Sequence, residues 1–176
     1  MLETSHGPRI LAIDLRGLRF GYAVLEMPRR LLDYGVSTRP FGKHGDGAVA
    51  SERIALLVKM FAPATIVIKR ARRTRMAYSS KERLLLTTIR RKASEYSIPV
   101  RFMGRLEVRD AFRGLVGETK YEIAVILAGI FPQLLWRLPP KRKTWQPERS
   151  GMTIFDAVSV GFAYWSLHER HGLPPE

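Results

Sequence analysis

The sequence predicts an α/β protein in which one mixed sheet is covered by helices. Three apolar segments near the start of the chain are joined by short connections, and strands linked so closely pair antiparallel. Further along, strand-like and helix-like segments alternate, which indicates parallel strands connected by helices. The chain has 176 residues and is 45% hydrophobic, so it suits one domain with a sizeable core.

The first three strands follow from their apolar runs. Residues 10–14 and 20–25 flank a short connection that contains Gly17, so they predict a hairpin. Residues 31–37 predict a third antiparallel strand after a turn. A glycine-rich loop over 42–47 separates these strands from the rest of the chain.

The next elements alternate between helix and strand. Apolar residues from Ile54 to Phe61 recur at helical spacing and predict a helix of about fifteen residues that ends at Pro63. Residues 64–68 are β-branched and predict a buried strand, parallel to the first because a helix connects the two. A second helix is expected to begin at a cap formed by Ser79 or Ser80.

The last part of the chain is expected to be mostly helical. After a fifth strand, the predicted elements are a short helical turn, a buried helix, a long basic loop and a final helix. In order they cover residues 98–102, 108–112, 119–131, 132–151 and 153–169. We therefore expect a flexible leader (1–8), one domain (9–170) and a C-terminal tail (171–176).

Composition limits the location and the chemistry. The chain contains no cysteine, which excludes disulfides and thiolate metal sites. Its apolar runs are too short for a membrane span, and its first residues lack the apolar core of a secretory signal. We expect a cytoplasmic protein. The 30 Lys and Arg residues against 16 Asp and Glu give a formal net charge of +14, which attracts polyanions such as nucleic acid.

Two acids stand out by position. Asp14 ends the first apolar strand, and Asp156 shares a small, apolar helix face with Ser159 and Ala163. Each has a structural alternative: Asp14 as a turn residue that caps its own loop, and Asp156 as part of a capping box with Thr153. Together, a strand-end acid and a helical acid could chelate Mg²⁺. Two-metal phosphodiester chemistry would need more carboxylates than these two.

The motifs, in order, resemble the RuvC-type Holliday-junction resolvases of the RNase H-like superfamily. The strand with Asp14 and the following Gly21-Tyr22 are similar to that family's first hairpin. Residues 106–114 resemble its Val-Lys-x-Ala-x-x-Gly segment, Lys120 falls where it has a basic residue, and residues 156–158 resemble its closing Asp-Ala-Leu. The resemblance covers residues 9–168. It implies an RNase H-like five-stranded sheet, three strands antiparallel and the rest parallel, and a homodimer.

The chain departs from this family at half of the acidic set. The resemblance implies catalytic and metal-binding roles for Asp14 and Asp156. Lys69, however, stands where the family has a glutamate at the end of the fourth strand, and Thr153 stands at its other acidic position. Loss of two carboxylates should weaken divalent-ion binding severely. Glu118 or Glu122 could supply a substitute ligand, or Lys69 could replace the charge of one metal ion.

Basic residues predict a nucleic-acid surface. Two basic runs, 69–75 and 141–143, combine cations with Trp136 and Trp145, which could stack on bases. A third basic group, formed by Arg109, Arg113 and Lys120, lies near the position of the family's active face. A solvated surface or an acidic protein partner is the alternative explanation. The candidate contacts are Lys69, Arg70, Arg72, Arg73, Arg75, Arg109, Arg113, Lys120, Lys141, Arg142 and Lys143.

These observations favour a protein that binds branched or structured nucleic acid, DNA rather than RNA, with a weakened or lost nuclease site. The first alternative is an active endonuclease that uses Mg²⁺ or Mn²⁺ at Asp14 and Asp156. The second is a structural subunit that docks into a larger assembly through protein partners.

Overall fold

The structure is a computed structural model. It describes residues 7–17, 19–27, 29–37, 48–70, 78–115, 119–141 and 151–171. Five strands are present in these ranges: β1 (Arg9–Arg16), β2 (Arg19–Glu26), β3 (Arg30–Val36), β4 (Thr65–Lys69) and β5 (Val100–Met103). The helices are α1 (Ala48–Phe61), α2 (Ser80–Glu95), α3 (Arg105–Ala111), α4 (Lys120–Ile130) and α5 (Met152–His171), with a 3₁₀ helix at Pro132–Arg137.

The five strands form one sheet in the order β3-β2-β1-β4-β5. β1 pairs antiparallel with β2, and β2 pairs antiparallel with β3. On its other side β1 pairs parallel with β4, and β4 pairs parallel with β5. The predicted mixed sheet of three antiparallel strands followed by parallel strands is confirmed.

Side chains alternate between two cores on opposite faces of the sheet. One face packs against α1 and α2 and buries Leu11 and Ile13 of β1. The other packs against α3, α4 and α5 and buries Ile10 and Ala12. Because successive strand residues point to opposite faces, Asp14 lies on the face that α5 covers.

Two glycines let α5 approach the sheet closely. A Cβ on Gly21 of β2 would meet the backbone oxygen of Thr153 and would lie 2.6 Å from its Cγ2. A Cβ on Gly161 of α5 would meet Leu25 and would lie 3.1 Å from Ala12 Cβ. The close packing at Gly21 matters for the site, because Gly21 pairs with Asp14 across the hairpin.

The structure decides or corrects three details of the sequence analysis. Ser79 is the N-cap of α2, and Glu82 completes its capping box. The predicted loop 132–151 is wrong at its start, since the 3₁₀ helix buries Leu134 completely. The predicted turn 108–112 is part of α3, which begins at Arg105.

Among the described residues, no helix is long and apolar enough to span a membrane.

Most of the predicted leader and tail, residues 1–6 and 172–176, lies outside the described residues. The glycine-rich loop 42–47 and residues 142–150 of the basic loop also lie outside them.

Candidate functional site

The two acids singled out in the sequence come together at the C-terminal end of β1, the central strand of the sheet. Asp14 lies near the C-terminal end of β1, and Asp156 lies in the second turn from the start of α5. Both are buried, with 4% and 6% of their surfaces exposed. A buried carboxylate needs hydrogen bonds or opposite charge to offset its lost hydration. The contacts of these two acids therefore determine what the site can bind.

Arg16 bridges the two acids. Its Nε donates a hydrogen bond to Asp14 Oδ2 over 2.8 Å, and its Nη2 donates to Asp156 Oδ2 over 2.6 Å. Residues two apart on a strand point to the same face, so Arg16 follows Asp14 toward α5. The guanidinium thus donates to both carboxylates through two of its nitrogens.

Lys69 lies between the same two acids. It is the last residue of β4, the strand parallel to β1. Its Nζ is 2.5 Å from Asp156 Oδ1 and 3.6 Å from Asp14 Oδ1. Lys120, the first residue of α4, adds a third cation and donates to Asp156 Oδ2 over 3.1 Å. We call Asp14, Asp156, Arg16, Lys69 and Lys120 the acid–cation cluster.

The pKa values of the two acids in the cluster are shifted in opposite directions. Burial is the largest influence on Asp14, and it raises the pKa of that carboxyl above 3.8 despite the opposing charges of Lys69 and Arg16. Burial also acts to raise the pKa of Asp156, but the charges of Lys69 and Lys120, with the Lys69 hydrogen bond, outweigh it and hold that pKa below 3.8. Asp156 is therefore the better stabilised anion.

The hairpin that carries Arg16 is fixed to α2. The Gly17 N–H donates to Glu82 Oε1 over 3.1 Å, while Glu82 Oε2 accepts from the Ser79 N–H over 2.8 Å. Burial acts to raise the pKa of Glu82, but the hydrogen bonds from the Ser79 and Gly17 backbones prevail and lower it. The capping box of α2 thus also anchors the loop beside the cluster.

The cluster does not fit a divalent metal ion. Mg²⁺ and Mn²⁺ prefer oxygen ligands and need several carboxylates in a two-metal site. Here the Lys69 ammonium lies where an ion shared by the two acids would have to lie, and Arg16 occupies another oxygen of each acid. In the described part of the chain, no group of three or more His, Cys, Asp or Glu side chains could hold a metal.

The other positions considered for a metal-binding carboxylate do not add one to the described cluster. Thr153 is buried where the first turn of α5 packs on Gly21. Glu122 belongs to the capping box of α4, and its Oε2 accepts from the Thr119 N–H over 2.9 Å. Glu118 lies outside the described residues. The capping alternatives raised for Asp14 and Asp156 are not observed among the described contacts, which join both carboxylates to cations.

The predicted nucleic-acid contacts divide into three sets. Lys69 and Lys120 belong to the acid–cation cluster. Arg70, Arg109, Arg113 and Lys141 are exposed, and Arg113 pairs with Asp110 at 3.0 Å. Trp136 is 68% exposed, with the Arg137 guanidinium carbon 3.8 Å from its ring centre. The other predicted positions lie outside the described residues: Arg72, Arg73, Arg75, Arg142, Lys143 and Trp145.

Arg16 is the site residue that sequence analysis missed. Its position beside Asp14 could have been predicted, because side chains alternate along a strand and residues 14 and 16 therefore share one face. The contact between Arg16 and Asp156, by contrast, joins positions 140 residues apart and could not be read from local spacing.

The order and directions of the five strands match a RuvC-type, RNase H-like fold. The Thermus thermophilus RuvC structure is similar over 93% of this chain and 96% of its own length, with a TM-score of 0.70 and 20% identity. T. thermophilus RuvC in complex with Holliday junction substrate matches 94% of this chain and 96% of its own, with a TM-score of 0.69 and 20% identity.

The yeast mitochondrial Holliday junction resolvase is a more distant structural neighbour. It matches 96% of this chain and 84% of its own, with a TM-score of 0.60 and 14% identity. No protein-family model and no curated protein matches the sequence. At these identities the likeness establishes the fold, and any function must be argued from the chain's own residues.

Proposed function

We propose that the chain binds branched or structured nucleic acid, DNA in preference to RNA, and that its metal-dependent nuclease site is weakened or lost. The observation that carries this proposal is the position of Lys69, whose ammonium group contacts both acids of the site. A nuclease of this fold would need these carboxylates for metal ions, and here cations already neutralise them.

The binding part of the proposal has separate support. The formal net charge of +14 favours polyanions, and a solved neighbour of the same fold is a RuvC in complex with Holliday junction substrate. The exposed Arg70, Arg109 and Lys141 are suited to phosphate contacts. Phosphate contacts release counterions, so affinity should fall steeply as the salt concentration increases.

The test combines binding and cleavage on one panel of substrates. Labelled four-way junctions, duplexes and single strands, as DNA and as RNA, are incubated with the wild type and with Asp14→Asn in Mg²⁺, in Mn²⁺ and in EDTA. We expect tight, salt-sensitive binding to junction DNA without cleavage. Cleavage that requires the metal and is lost in Asp14→Asn would support the alternative of an active endonuclease. Weak binding to every nucleic acid would contradict the proposal and favour the structural-subunit alternative.

A further inference from the structure

We infer that the acid–cation cluster binds a backbone phosphodiester directly, without a divalent metal, and that Lys120 and Arg16 are the cations that face the phosphate. This inference rests on the proposed nucleic-acid binding and goes beyond it by assigning a subsite and a ligand group. A phosphodiester carries one negative charge and acceptor oxygens, which match guanidinium and ammonium donors.

The charges of the cluster favour an anion. The five side chains of the cluster, two carboxylates and three cations, carry a net positive charge when all are ionised. The neighbouring Glu82 carboxylate also acts on Arg16, but it accepts hydrogen bonds from the Gly17 and Ser79 N–H groups. A site that assembles carboxylates for metal ions has the opposite sign before the metal binds. A phosphate would therefore be repelled by a set of bare carboxylates but attracted by this one.

The layering of the cluster leads to the same conclusion. The side chains of Asp14 and Asp156 are only 5% and 7% exposed, whereas those of Arg16 and Lys120 are 39% and 45% exposed. Lys69 lies between these layers, with a side chain that is 19% exposed. A molecule that approaches this surface meets cations first. The buried acids position those cations instead of contacting the ligand.

The buried acids hold the cations of the cluster in place. Arg16 and Lys120 donate to Asp156 over 2.6 and 3.1 Å, and Lys69 contacts both acids. Fixed cations lose little entropy when a ligand binds, so they favour a specific contact over diffuse attraction. The cluster is thus suited to hold one phosphate in a defined place.

The test is the salt dependence of binding to a labelled four-way DNA junction, in EDTA and in Mg²⁺. Lys120→Gln should weaken binding several-fold in EDTA. The plot of the logarithm of the association constant against the logarithm of the salt concentration should become shallower by about 1, because one phosphate contact is lost. Lys120→Arg should restore the slope, since it keeps the charge. The wild type should bind without Mg²⁺, and added Mg²⁺ should not strengthen binding, because the ion competes with the protein for the phosphates.

Arg30→Gln is the matched control. Arg30 is also an exposed cation paired with a buried carboxylate, Glu26, at 3.2 Å, and Glu26 keeps a second cation in Arg9. Glu26 pairs with Arg9, at the opposite end of β1 from Asp14, so Arg30 lies away from the cluster. Its loss should leave the slope unchanged.

The outcomes separate this inference from the proposed function. If Lys120→Gln and Arg30→Gln behave alike while the wild type binds tightly, the phosphate subsite is contradicted and the binding function stands. If wild-type binding requires Mg²⁺, the metal-free subsite is also contradicted. If the wild type does not bind the junction, both the function and the subsite fail.

Discussion

Asp14 and Asp156 share cations but differ in how strongly the folded protein favours their ionised forms. The raised pKa of Asp14 means that its charge is less favourable in the folded chain than in water, chiefly because of burial. The lowered pKa of Asp156 means the reverse, because the surrounding cations outweigh its burial. The same substitution at the two positions should therefore have different effects.

Asp156→Asn should destabilise the protein and Asp14→Asn should not. At pH 7 we expect the first to lower the free energy of unfolding by about 3 kcal/mol, because it breaks a buried ionic network. The second should leave that free energy within about 1 kcal/mol of the wild type or raise it, because it removes an unfavourable charge. Urea denaturation measures both. Equal losses in the two variants would contradict this asymmetry.

The two acids should also shape the pH dependence of stability. Because the folded chain holds the Asp14 proton more tightly than the unfolded chain, the Asp14 contribution falls as pH rises from 3.8 through its raised pKa. The Asp156 contribution is complete above 3.8 and is lost as pH falls through its lowered pKa. Denaturation from pH 3 to 7 should show the fall above 3.8 in the wild type and not in Asp14→Asn. Parallel curves for the two proteins would contradict the assignment.

Lys69 should contribute more to stability than a typical lysine of similar exposure. Lys69→Met should lower the free energy of unfolding by about 3 kcal/mol, because it leaves two buried carboxylates with fewer cations. Lys92 is a matched control, since its side chain is 20% exposed and pairs at 2.6 Å with Glu95, which is 42% exposed. Lys92→Met should cost about 1 kcal/mol or less. Similar losses in the two variants would show that Lys69 is an ordinary surface cation.

At the scale of elements, the contact between β2 and α5 determines whether the acids meet. Gly21→Ala would place a methyl group against the backbone of Thr153, so we expect a loss of about 1–3 kcal/mol from overpacking. Gly129 of α4 is the control, because a Cβ there would have nothing within 4 Å. Gly129→Ala should raise stability by about 0.5–1 kcal/mol. A neutral Gly21→Ala would contradict the close packing.

The elements themselves were largely predictable, because local signals fix them. The apolar runs gave all five strands, and the capping residue Ser79 gave the start of α2. The 3₁₀ helix was missed because Pro132 and the prolines that follow indicate a loop, whereas burial of Leu134 depends on the tertiary core. Local chemistry could not reveal that burial.

The site was predictable only in part, for a reason that belongs to the whole molecule. The resemblance to resolvases picked out Asp14, Asp156, Lys69 and Lys120, but not how they are arranged. The ammonium of Lys69 meets a carboxylate 87 residues away, and Lys120 meets the same acid from 36 residues away. Such contacts depend on the register of β4 against β1 and on the docking of α4 and α5. A sequence pattern alone does not specify them.

On the scale of the whole protein, a RuvC-type fold holds positive side chains against its two buried acids. Because these cations already pair with the acids, the assembly of the acid–cation cluster should be independent of divalent ions. An ion that binds only the folded state adds about 2.7 kcal/mol of stability at 100 times its dissociation constant. Metal should therefore leave the stability of the wild type unchanged.

Calorimetric titration of Mn²⁺ tests the site itself, with the wild type, Asp14→Asn, Lys69→Glu and the double variant Lys69→Glu/Asp14→Asn. We expect no saturable binding to the wild type, because Lys69 lies between the carboxylates. Lys69→Glu removes that cation and supplies a third carboxylate, so it should gain binding that the double variant loses again. Saturable Mn²⁺ binding to the wild type that is lost in Asp14→Asn would show that the cations do not keep metal ions from the two acids.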